Sequence, residues 1–247
     1  MAKFMIQNDE KALENEKRFL LERISMQKYV HEYRSVSLPE VNEISDQGWY
    51  PVGTIEFVSS YLKNAYGIER ENPIEIPKYL RTEEFLKREY YFASFDKLPN
   101  AGKYFLKDCS ELKKFSGVIM AEQVLNDAKE FSKNHIYQVS SLFPVKAEYR
   151  VYVLHGEIEN IACYDGDCTV LPDISLIRKA VMIINAKENW LKSYTIDVMV
   201  GDPGTALIEI HNFTSVGLYS TLWGDSLIWA YKDGIDYLVN DNRKFDV

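Results

Sequence analysis

At 247 residues the chain suffices for one large domain or two modest ones around a cleft, and 46% hydrophobic residues with 13% aromatics supply a sizeable core. A net charge of −8 excludes the broad basic face on which general nucleic-acid binding depends. Three cysteines, Cys109, Cys163 and Cys168, form no CxxC pair; this argues against a disulfide framework or a structural zinc and for a reducing cytoplasm.

The opening stretch MAKFMIQNDEKALENEKR meets charge within its first ten residues, without the apolar centre of a signal peptide. No apolar run approaches the roughly 18 residues that span a bilayer, so no membrane partner is expected. Asn8 and Asp9 are placed to cap a long helix through about Arg34, with Leu13, Leu20, Leu21, Ile24 and Val30 on its apolar face. Residues 35–50 read as irregular. Thr54 caps a second helix, TIEFVSSYLKNAYG, which Gly67 closes. Pro73 and Pro77 break the next stretch, and Glu83 to Phe92 reads as a third helix.

The pattern changes near residue 95. KYFLKD (103–108) alternates as a strand, CSELKKFSG reads as a loop, and VIMAE as a second strand. Glu122 to Ser132 has helical spacing. IYQVSSLF, EYRVYVLHG and EIENIACYDGD read as three further strands. Pro172 opens a helix whose inward positions are Leu176, Ile177, Ala180, Val181 and Ile184. Two β-branched runs then flank Gly201-Asp202-Pro203-Gly204 as a hairpin, and a last helix covers about Asp225 to Lys232. Mixed helices and antiparallel hairpins give an α+β fold, with a smaller N-terminal lobe (1–95) and a larger sheet-rich region (96–247).

Several charged residues sit where strands need apolar ones. In the hairpin, simple register sets Asp197 nearly opposite Glu209. Thr195, Asp197 and Met199 share one face; Leu207, Glu209 and His211 share another. Opposed carboxylates repel, and a divalent cation that prefers oxygen would turn the repulsion into attraction. Acids pointing at water from a half-exposed hairpin satisfy the same pattern. Arg150 lies in EYRVYV, a strand expected to be central, and needs an anionic partner: Glu148, two residues before it, or an anionic ligand. Lys107 ends KYFLKD, and Lys114 sits in the loop with Ser116 and Gly117, an arrangement that suits a phosphate and equally a solvated loop. No HExxH or Gly-x-Ser-x-Gly pattern is present.

The order of these pieces resembles the ATP-grasp superfamily, and within it the branch named for one arginine and two lysines, found widely in phage and bacterial genomes. The stretches that carry the resemblance are YFLKD with KFSG, EYRVYVLHGEI with YDGD, IDVMV, and LIEIHNFTSVGLY, spanning roughly residues 75 to 240. PVGTIEFV (51–58) is similar to the N-terminal part of the same branch. The resemblance implies an ATP-grasp fold and an ATP- and magnesium-dependent ligase, manganese being an alternative metal. Such a ligase joins a small-molecule or peptide carboxylate to an amine through an acyl phosphate. Lys107 and Lys114 would contact ATP phosphates, and Gln138, Val139, Ser140 and Ser141 would form the linker whose backbone meets adenine. Glu148 would suit the ribose, and Arg150 the γ-phosphate or the acyl phosphate, which with Lys114 makes the catalytic pair. Asp197 and Glu209 would hold the metal. The usual Glu-x-Asn pattern becomes Glu209-Ile210-His211-Asn212 here, so His211 and Asn212 are both candidates for the third ligand. A phosphotransferase acting on another acceptor and a non-catalytic nucleotide-binding module are the alternatives.

Overall fold

A computed structural model describes residues 1–9, 13–26, 31–69, 76–109, 115–121, 133–188, 191–220, 222 and 225–240. The N-terminal part is a parallel sheet of β1 (Ala2–Gln7), β2 (His31–Val36) and β3 (Trp49–Val52) in the order β2-β1-β3. Helix α1 (Glu14–Met26) and the short α2 (Leu38–Val41) connect these strands, and α3 (Ile55–Tyr66) follows them. Thr54 caps α3 by accepting from the Phe57 N–H, and Gly67 closes it in the left-handed conformation. Met5, Val36, Phe57 and Tyr61 fill the space between sheet and α3.

The long first helix expected through Arg34 stops at Met26, and His31–Val36 is a strand. The irregular stretch expected after it contains α2 and β3. The third helix is also shorter than expected: α4 (Glu83–Leu86) ends at Lys87, whose φ is +51°, and β4 (Tyr90–Ser94) begins. The aromatic run Tyr90-Tyr91-Phe92 favours a pleated surface over a helix.

The remaining described strands are antiparallel. β4, β5 (Lys103–Asp108), β6 (Ser116–Met120) and β7 (Ile136–Ser140) form a sheet in the order β4-β7-β5-β6. Ser116 and Gly117, expected in the loop, belong to β6. The helix expected over residues 122–132 lies outside the described residues. β8 (Val145–Leu154), β9 (Glu157–Gly166), β10 (Tyr194–Gly201) and β11 (Gly204–Asn212) form the other sheet, in the order β11-β10-β8-β9. Helix α5 (Ile174–Lys187) buries the five inward residues read from the sequence. It packs with α4 against Val151, Val153, Ile196, Val198 and Ile210 on one face of this sheet.

Helix α6 (Ser226–Asn240) extends eight residues beyond the expected end at Lys232. Its Leu227, Ile228 and Tyr231 join Tyr152 and Leu154 of β8 with Phe4 of β1 and Leu20 and Ile24 of α1 in one core. Side-chain alternation therefore divides β8 cleanly: odd residues face α5, and even residues face the N-terminal sheet and the cleft. No helix among the described residues is long and apolar enough to cross a membrane.

Candidate functional site

The two antiparallel sheets face each other across a cavity of about 400 Å³. From the β4-β7-β5-β6 sheet it is lined by Lys107, Ser116, Gln138, Ser140 and the following Ser141. The other sheet contributes Glu148, Tyr164, Asp197, Met199, Ile208 and Glu209. Each side chain arrives by strand alternation: Lys107 stands opposite Gln138 and Ser116, and Met199 opposite Glu148.

The hairpin pairs Asp197 with Glu209 as its symmetry about the turn predicts. Its register shifts just beyond that pair, where Val198 opposes Leu207 and Ile208 is the extra residue. This bulge corrects the expected sharing of faces. Leu207 turns into the core with Val198, while Ile208 and Glu209 line the cleft.

The opposed acids do not meet unscreened. Arg150 lies directly across from Asp197 and holds it bidentately, Nε to Oδ1 at 2.8 Å and Nη2 to Oδ2 at 2.7 Å. Its partner within the protein is thus Asp197 and not Glu148, because the nearest anion is across the strand pair rather than along the strand. Burial alone would depress this guanidinium, but the hydrogen bonds and charge of Asp197 raise it above the ordinary arginine value. Nη1 donates to the Gly217 carbonyl at 3.0 Å. The guanidinium also lies over Tyr219 at 5.0 Å and Tyr164 at 5.8 Å, two rings stacked on each other at 4.8 Å. Burial first, then Asp197 and Glu148, raises the Tyr164 phenol above its usual value. Glu209 binds Lys107 Nζ through Oε2 at 3.1 Å and His211 Nε2 through Oε1 at 2.9 Å.

His211 therefore shares the cleft face with Glu209. Asn212 does not: it pairs with Tyr194, is 2% exposed, and accepts from the Thr214 hydroxyl. Its Nδ2 is buried without a hydrogen-bond partner. Val139 points into the core beside Leu106, and its contribution to the linker is main-chain only. Lys114 lies outside the described residues. Among the described residues no three His, Cys, Asp or Glu side chains cluster as a ready metal cage.

Sequence reasoning misses Arg88. It lines the cavity, and its Nη1 donates to the Leu86 and Leu207 carbonyls at 3.0 and 2.9 Å. No carboxylate pairs with it among the described residues, and burial pulls its guanidinium down to about 10. The next residue, Glu89, exchanges hydrogen bonds with Ser141, donating to its hydroxyl at 3.1 Å and accepting from its N–H at 3.2 Å. This sets Arg88 beside the linker. The only signal is a lone arginine in a charged run, which sequence cannot separate from a solvated one.

Two antiparallel sheets closing on a charged cleft, behind a small parallel-stranded lobe, define the ATP-grasp class of folds. The chain belongs to that class: residues 85–224 match the model of an ATP-grasp domain, the second family of the clade named for one arginine and two lysines. Among solved structures it is similar to a D-alanine–D-alanine ligase from Bacillus anthracis complexed with ATP. Identity is 12% and the TM-score 0.56, with 98% of this chain and 100% of that one covered. A RimK domain protein of ATP-grasp type from Sphaerobacter thermophilus gives 13% identity and a TM-score of 0.56, over 97% and 100% of the chains. A macrocyclase from Microcystis aeruginosa bound with its precursor peptide gives 13% and 0.50, over 98% and 100%. These likenesses establish the fold. No curated protein matches the chain.

Proposed function

We propose that the protein is an ATP- and magnesium-dependent ligase that joins a carboxylate to an amine through an acyl phosphate. The observation that carries this reading is the pairing of Lys107 with Glu209 across the two sheets, beside the opposed Asp197 and its clamp Arg150. ATP is a substrate in this reading. Main-chain groups of 138–141 meet the adenine, Glu148 the ribose, and Lys107 with Lys114 the phosphates. Arg150 offsets charge on the γ-phosphate and the acyl phosphate electrostatically, without acting as an acid or base.

The donor set fits a hard divalent cation. Asp197 and Glu209 offer four carboxylate oxygens from neighbouring strands, and His211 offers a nitrogen that magnesium binds poorly. Magnesium, or manganese in its place, supplies charge neutralisation on the phosphate oxygens. Holding it requires Asp197 and Glu209 to exchange their contacts with Arg150 and Lys107, which frees both cations to face phosphate. The lobe of residues 1–95 and the segment TSVGLYSTLWG would supply the acceptor pocket, with small-molecule or peptide carboxylates and amines as substrates. Relatives of the same fold include the D-alanine–D-alanine ligase and the peptide-bound macrocyclase. Free Cys109, Cys163 and Cys168 accord with a reducing cytoplasm.

ADP release over pooled carboxylates and amines tests the reading. Wild-type protein should turn over, and Glu209→Gln should lose at least about 100-fold, the scale of a lost charge-stabilising group. Equal turnover by both proteins would remove Glu209 from the chemistry. An amide product separates ligation from phosphotransfer, which leaves a stable phosphoester. The self-paired acids favour a second reading, a nucleotide-binding module without catalysis, whose mark is ATP binding with no ADP release under any acceptor mixture.

A further inference from the structure

Helix α1 buries Leu20 and Ile24 as any amphipathic helix would, but Glu16, one turn earlier on the same face, is also buried, at 7% exposure. A buried acid is costly without a partner. Among the described residues no basic side chain pairs with it, and its hydrogen bond comes from the Leu218 N–H at 2.5 Å. Leu218 follows Gly217, whose carbonyl takes Arg150 Nη1, and precedes Tyr219, whose ring covers the same guanidinium. The Tyr152 hydroxyl fastens this turn from below, donating to the Gly217 carbonyl at 3.3 Å and accepting from the Tyr219 N–H at 2.8 Å. A β-carbon built on Gly217 would stand 3.9 Å from both Arg150 Nη1 and Glu16 Oε1, so the acid and the guanidinium approach the same glycine.

We propose that Glu16 is a positioning residue for Arg150: from the N-terminal lobe it pins the 217–219 turn, and that turn sets where the guanidinium stands. The proposal rests on the reading of Arg150 as the group that meets the γ-phosphate. Without Glu16 the turn keeps its chain connections but loses its hold on one side. Arg150 then retains Asp197 and loses the fixed Gly217 carbonyl and Tyr219 ring that aim it.

Calorimetric titration of the full-length protein with AMP-PNP and with ADP, each with magnesium, separates the possibilities without knowledge of the acceptor. Glu16→Ala should weaken AMP-PNP about tenfold and leave ADP within about twofold, the scale of one charge-assisted hydrogen bond. Glu16→Gln keeps an oxygen acceptor for the Leu218 N–H and should restore the wild-type preference. A Glu16→Ala protein that binds both nucleotides as wild type does, or loses both equally, overturns the proposal, since a merely structural acid would not single out the third phosphate. Tyr219 is 51% exposed, so Tyr219→Leu is a second variant whose folding is not at stake. It should show the same selective loss, and an unchanged preference would equally overturn the role of the turn. Wild-type protein that binds neither nucleotide refutes the nucleotide reading itself, an outcome distinct from failure of Glu16 alone.

Discussion

Arg88 and Arg150 are both cations beside one cleft, yet their surroundings assign them different work. Arg150 is matched to Asp197 by two short hydrogen bonds. Arg88 is held only by main-chain carbonyls, and burial lowers its pKa to about 10, so a ligand acceptor would relieve a standing desolvation cost. Its place beside Ser141 sets it at the linker end. Arg88→Met should therefore weaken AMP-PNP and ADP alike, by about tenfold, for loss of one charged donor. Titration calorimetry would show this, and a loss confined to AMP-PNP would place Arg88 at the phosphates instead. Residue identity in the sequence marks Arg150, Lys107, Asp197 and Glu209 because each interrupts an apolar alternation. It cannot show which acid faces which base, since cross-strand neighbours are 47 residues apart for Arg150 and Asp197 and 102 apart for Lys107 and Glu209.

Among the elements, those read correctly carry their own punctuation. The β10–β11 hairpin has its Pro-Gly turn, α3 has Thr54 and Gly67, and α5 has Pro172 ahead of Asp173. Asp173 caps α5 by accepting from the Ser175 and Leu176 N–H groups at 2.8 and 3.2 Å. Asp173→Ala should cost about 1 kcal/mol, read as a lower urea midpoint with an unchanged denaturant slope. The misread elements lie in the parallel sheet. β1 buries Phe4, Met5 and Ile6 in succession, because both of its faces are covered, and such a strand shows no alternation to detect. The bulge at Ile208 is equally silent: it needs no glycine here, and it alone decides that Leu207 and Glu209 part company.

At the scale of the molecule, His31 reports on how the lobes are joined. It stands on β2, edge-on to Phe4 of β1 and to Trp229 of α6, and its Nδ1 accepts from the Ala2 N–H at 3.4 Å. Burial, then the charge of the nearby N-terminus, lowers its pKa below 6.5, against the pull of Asp225. The folded protein therefore favours the neutral ring. The stability that neutrality contributes is complete above about pH 6.5 and is lost as pH falls through the folded-state value, where the unfolded chain binds more protons. The urea midpoint should be lower at pH 5.5 than at pH 7.5, and His31→Phe should narrow that difference; an undiminished difference would exclude His31 as its source.

The core that gathers Phe4 and Leu20 with Tyr152 and Tyr231 has a practical corollary for redesign. Replacing the front of the chain with another relative's front would cut through a hydrophobic interior to which the final helix also belongs. Chimeras of this family would thus have to exchange their first and last segments as a pair, with the cleft-bearing middle left in one piece.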